Sequence, residues 1–90
     1  MMKMKTRLLA IGLVASGSAF AGANCPKHPK DQWIPEAQAK AKIEAQGYKI
    51  RKFKVDGNCY EIYGRNKEGK KVEIYYDAKT LEPVKSEIEK

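Results

Sequence analysis

The chain has 90 residues, with 18 Lys and Arg against 11 Asp and Glu and a formal net charge of +7, enough for one small basic domain and too little for two. Two Cys and a single His supply three of the four ligands that a structural zinc site wants, and the C-x-x-C-H run of covalent haem is absent. Beyond the N-terminal segment no stretch is apolar enough to span a bilayer.

The first element is a leader. Lys3, Lys5 and Arg7 make a positive start, Leu8 to Val14 is a short apolar run, and Ala19-Phe20-Ala21 fits the small-residue cleavage rule. Cleavage after Ala21 is expected, with Gly22 first in the mature chain and a bacterial periplasmic or secreted destination. Gly22-Ala23-Asn24-Cys25 lacks the Leu that a lipoprotein signal carries three places before its Cys, so no lipid is expected on Cys25. Removal of residues 1–21 takes away three cations and no acid, leaving roughly 70 residues and a core that is marginal without a covalent aid.

Residues 22–34 read as an arm. Pro26 and Pro29 forbid a helix there, and Trp33 and Ile34 are its apolar anchors. Cys25 and Cys59 are an even pair in an exported domain, which predicts a disulfide between them.

A helix is expected from Pro35, a favoured first helical position, through a run of Ala, Gln, Lys and Glu to the stop at Gly47. Two stripes compete for its buried face. One is Ile34, Ala37, Ala41 and Ala45; the other is Ala39 and Ile43. An isoleucine contributes more on burial than several alanine methyls, so the second stripe is expected to face the sheet. After Gly47 the period changes to two. Tyr48, Ile50, Phe53 and Val55 mark a first strand whose parity slips near Arg51-Lys52, the sign of a bulge. Asp56-Gly57 is a tight turn, and Cys59 to Arg65 is a second strand. Asn66 to Gly69 turns again, Val72 to Tyr76 is a third strand, and Asp77 caps the turn through Thr80. Leu81 to Val84 adds at most a short edge strand cut off by Pro83, and residues 85–90 read as a polar tail. The expected fold is α+β: one helix packed on a three-stranded antiparallel meander, with room for a short fourth edge strand, the domain running over 35–84.

The helix running into Gln46-Gly47-Tyr48, the segment Asp56-Gly57-Asn58-Cys59-Tyr60-Glu61-Ile62-Tyr63, Gly69 to Ile74, and Tyr76-Asp77-Ala78-Lys79-Thr80-Leu81 resemble, in order and spacing, a short stand-alone PepSY domain. Leu81 stands where that family usually has Gly. The resemblance implies a domain without catalytic residues that binds or restrains a peptidase, or serves as an accessory to an envelope complex. With no protease following in this chain, it implies a partner on another exported or membrane protein.

Several residues are candidates for the function. Tyr63 and Tyr75 share one face of the sheet and form a docking surface if that face is open; alternatively the arm and Trp33 cover it. Lys52 and Lys54, within a basic stretch with Lys49 and Arg51, suit an acidic partner or an anionic surface, or simply solvate the edge. Arg65, Lys67, Lys70 and Lys71 form a second basic cluster. Export removes nucleic acid as a target for either. Glu61 and Glu73 are expected to pair across strands with lysines. No nucleophile stands beside a base: Ser86 lies in the tail and Thr80 in a turn, so no enzyme is expected. A monomer without cofactor is the expectation. The alternative is a small metal or haem carrier built on His28, with Cys25, Cys59 and a forced fourth ligand from Asp31 or Glu61.

Overall fold

The computed structural model describes residues 22–89. The leader expectation therefore lies outside the described residues. The arm runs without regular structure from Gly22 and closes with a short 3-10 turn at Lys30–Gln32. One helix, α1, spans Glu36–Ala45. Four strands follow: β1 Lys49–Asp56, β2 Cys59–Arg65, β3 Lys71–Asp77 and β4 Pro83–Ile88. They form one antiparallel sheet in the order β1-β2-β3-β4.

The helix begins one residue later than expected. Pro35 has extended ψ (141°) and serves as the cap, its carbonyl accepting the Ala39 N–H at 2.9 Å. Gly47 ends the helix at φ 105°, a left-handed conformation that only glycine adopts freely. Ala39 and Ile43 are fully buried, whereas Ala37, Ala41 and Ala45 are exposed. The isoleucine stripe wins because it removes the most apolar area from water.

The β1–β2 register shifts between Ile50 and Lys52, so the expected bulge is present. Opposite it, Gly64 packs so closely that a Cβ there would lie 2.0 Å from the Lys49 carbonyl oxygen. The helix-side face carries Tyr60 and Ile62 from β2 and Val72, Ile74 and Tyr76 from β3, all in the core with Ile43, Ala78 and Leu81. Trp33 packs edge-on to Tyr60 at 5.4 Å, and Phe53 lies 4.9 Å from the same ring. The Trp33 indole donates to the His28 carbonyl at 3.0 Å.

The fourth strand corrects the sequence reading. Residues 85–88 are ladder, not tail: Tyr75 pairs with Lys85, Ile74 with Ser86, Glu73 with Glu87 and Val72 with Ile88. Proline is tolerated because Pro83 is the first residue of an edge strand. A register shift between Tyr75 and Tyr76 absorbs the turn, and the Glu89 N–H donates to the Lys71 carbonyl at 2.9 Å. The preceding turn is capped as expected, the Asp77 carboxylate accepting the N–H groups of Lys79 (2.8 Å) and Thr80 (3.3 Å). Leu81 takes φ 63° where glycine would be easier, and its side chain is held there by burial in the core.

Candidate functional site

Period-two alternation sends every second side chain of the sheet away from the helix. On that opposite face β1 presents Lys52, Lys54 and Asp56, and β2 presents Cys59, Glu61 and Tyr63. In register beside them, β3 presents Glu73, Tyr75 and Asp77, and β4 presents Lys85 and Glu87.

One end of this face is covered by the arm, fixed at three points. Cys25 and Cys59 form the expected disulfide, with Cα atoms 5.4 Å apart. His28 Nε2 lies 3.2 Å from the Asp77 carboxylate. The Lys85 ammonium donates to the Gly22 carbonyl at 3.0 Å. Burial raises the Asp77 pKa, but the Lys79 amide, His28 and the Thr80 amide outweigh it and hold the carboxyl below its ordinary range. With both thiols in the disulfide, His28 has an aspartate for a neighbour. Among the described residues no group of three or more His, Cys, Asp or Glu is arranged to hold a metal.

Past the arm the face opens into a shallow cavity of about 480 Å³, lined by Lys54, Glu61, Tyr63, Glu73, Tyr75 and Lys85 among others. Its floor is the pair Glu61 and Glu73. Glu61 is only 1% exposed, and its Oε2 atom has no hydrogen-bond partner. Lys54 stands opposite Glu61 in the ladder, yet its ammonium sits over the Tyr63 ring at 5.8 Å; the Lys52 ammonium sits over the same ring at 5.7 Å. The expected lysine pairing of these acids is therefore replaced. The two carboxyls lie near enough that ionising both is disfavoured, and Glu61 is the one pushed toward its protonated form. Burial, followed by the neighbouring Glu73, raises the Glu61 pKa. The hydrogen bond from Glu61 lowers that of Glu73, against the opposing effect of burial. The Tyr75 hydroxyl donates to Glu73 Oε2 at 3.0 Å. Both Tyr63 and Tyr75 are pushed up as acids, Tyr63 chiefly by its hydrogen bond to Glu61 and Tyr75 chiefly by burial, so both rings keep their protons.

The structure thus brings Tyr63, Tyr75, Lys52 and Lys54 onto one face, with Lys52 and Lys54 exposed, Tyr63 half-buried and Tyr75 buried. Trp33 is not with them. It packs against Tyr60 on the helix side, so the arm alone covers part of the open face. Sequence reasoning missed the acid pair. The signal was the alternation of Glu61-x-Tyr63 against Glu73-x-Tyr75 on the two central strands, which leaves each acid flanked by tyrosines.

At the other end of the sheet, Lys49 pairs with Arg65 and Arg65 with Lys71, a row of like charges across three strands. No helix among the described residues is long and apolar enough to cross a membrane.

A family model described as peptidase propeptide and YPEB domain matches residues 5–87. No protein of curated function and no solved structure matches the chain.

Proposed function

Because the chain belongs to the PepSY family of peptidase propeptide and YPEB domains, we propose that it is an exported binding module that acts in trans on a separate exported or membrane-attached protein, a peptidase first among the candidates. It works by occupying its partner rather than by chemistry of its own. The reading rests on the leader pattern over residues 1–21, on the Cys25–Cys59 disulfide, and on the family.

The recognition surface is the sheet face opposite α1, centred on Tyr63. The observation that carries this is the cavity floored by Glu61 and Glu73, with exposed Lys54 in its lining and the Lys52 ammonium over the Tyr63 ring beside it. Aromatic rings bordered by cations suit a protein contact whose acidic groups meet Lys52 and Lys54 while its centre covers Tyr63. Trp33 has no part in it, since it lies on the other side of the sheet.

Capture from envelope fractions with the immobilised protein, run beside a Tyr63→Ala/Lys52→Glu/Lys54→Glu variant, is the test. A peptidase or envelope protein should be retained by the wild type and lost by the variant, and a retained peptidase should change its activity when the free protein is added. Equal retention by both proteins, or retention of nothing, defeats the assignment of this face. Intact mass of the exported form should correspond to a chain beginning at Gly22.

A further inference from the structure

We propose that the outer edge of β4 is a self-association surface, on which two copies of the chain pair antiparallel about a two-fold axis at Ser86 and continue one sheet across both molecules.

The sheet has two edges and both carry a register shift, β1 in mid-strand between Ile50 and Lys52 and β4 at its start beside Pro83, so that β4 alone is regular from Lys85 to Ile88. An unpaired edge strand is a template for another strand unless charge, proline, a bulge or a covering element blunts it. On β1, Lys49, Arg51, Lys52 and Lys54 face a single acid, Asp56, and the bulge at Arg51 interrupts the ladder. Self-pairing of β1 sets like charges beside each other. On β4 the charges are Lys85 and Glu87, placed symmetrically about Ser86. Antiparallel pairing about Ser86 puts Lys85 opposite Glu87 of the second copy, and Glu87 opposite its Lys85. Opposite charges directly across a ladder are favourable and like charges unfavourable.

Backbone direction agrees with this register. The Glu89 N–H is bonded to the Lys71 carbonyl. In an antiparallel ladder bonded and outward-facing residues alternate, so Glu87 and Lys85 turn their amides toward β3 while Ser86 and Ile88 turn theirs to the free edge. A two-fold axis at Ser86 lets the two Ser86 residues exchange both hydrogen bonds. The same register carries Ile88 toward Val84 of the second copy, which sits at the register shift between Pro83 and Lys85. Val84 (41% exposed) and Ile88 (55%) are two of the three exposed large hydrophobic residues described, and both lie on this strand. Proline 83 sits at the strand's start, where it leaves the Ser86 and Ile88 amides untouched. The sequence reading expects a monomer and places no strand over residues 85–90; the strand supplies the edge that the pairing uses. Such an interface is isologous and closes at two copies. It is small, so the association is expected to be weak and concentration-dependent.

The test is sedimentation velocity with light scattering on the disulfide-intact protein, from micromolar to millimolar concentration. A monomer–dimer equilibrium weakened by salt is expected. Ser86→Pro removes an outward amide and should weaken dimerisation by about tenfold. K85E makes both charged positions acidic and E87K makes both basic, so each alone should associate less than wild type. An equimolar mixture of the two should form a heterodimer at least about tenfold tighter than either homodimer. A monomer throughout the range overturns the proposal, as does a dimer indifferent to Ser86→Pro in a variant with wild-type circular dichroism. If that variant does not fold, the charge-swapped mixture decides alone: no preference for the heterodimer overturns the proposal.

Discussion

Two carboxyls that line one cavity beside tyrosine rings disfavour ionising together. In this chain the proton is Glu61's, because its side chain is the more completely buried and no cation reaches it. The linkage has a definite sign. The Glu61 pKa is raised above its ordinary 4.5, so the folded state holds a proton that the unfolded chain gives up. The stability it brings is complete below that ordinary value and is lost as pH climbs through the raised one. Glu73 runs the other way: its lowered pKa brings stability above 4.5 that disappears as pH falls through the depressed value. Glu61→Gln keeps a donor toward Glu73 with no proton to lose. As pH rises above the ordinary carboxyl range, the wild type should lose stability relative to E61Q, read by denaturant unfolding. Parallel profiles for the two proteins would remove the protonated Glu61 from the account. The sequence could not show this pairing. It showed acids on strands beside lysines, and cross-strand neutralisation is the usual outcome. Here Lys54 is in register with Glu61, but its ammonium lies over Tyr63. By contrast the Asp77 cap was legible, because an aspartate at the head of a turn has amides two and three residues on within reach.

At the scale of elements, legibility followed the strength of the apolar period. β2 and β3 have core residues at every second position, and their bounds were readable within a residue or so. The bulge in β1 was readable because Ile50 and Phe53 cannot share a face without one. The helix was readable from composition, and its buried side from the size of Ile43 alone. β4 was readable only as a short edge segment up to Val84, and its run through Ile88 was not. It has no buried residue, its first residue is a proline, and it exists because β3 offers a complete ladder. Tertiary context overrode local preference there. β2 passes close to the β1 bulge at Gly64, where an added Cβ would lie 2.0 Å from the Lys49 carbonyl oxygen. A methyl group at Gly64 meets the Lys49 carbonyl, which is backbone and cannot move aside cheaply. Gly64→Ala should cost about 2–3 kcal/mol and broaden β1 amide resonances, measured by chemical denaturation and two-dimensional NMR. A wild-type midpoint would mean that β1 is free to shift and that the bulge is not fixed by this contact.

At the scale of the molecule, a ten-residue helix and four short strands make a thin two-layer body. The face away from the helix is shaped largely by what the arm does. The disulfide, the His28–Asp77 pair and the Lys85–Gly22 contact hold residues 22–28 across one end. The rest of that face is left for a partner. The cysteine pairing was legible from an even count in a domain read as exported. The path of the arm was not, because Pro-rich segments carry no period. Trp33 was read as an apolar anchor of the arm and as one cover for the open face, and it packs on the helix side against Tyr60.

The most direct test is equilibrium unfolding of the oxidised protein beside the reduced and alkylated protein, with arm resonances followed in parallel. Closing a loop over a sequence separation of 34 residues should make the oxidised form more stable by about 3–4 kcal/mol. Reduction should release His28 from Asp77 and expose the covered end of the sheet. Coincident unfolding curves, with the arm signals unchanged after reduction, would contradict the claim that the Cys25–Cys59 link holds this platform together.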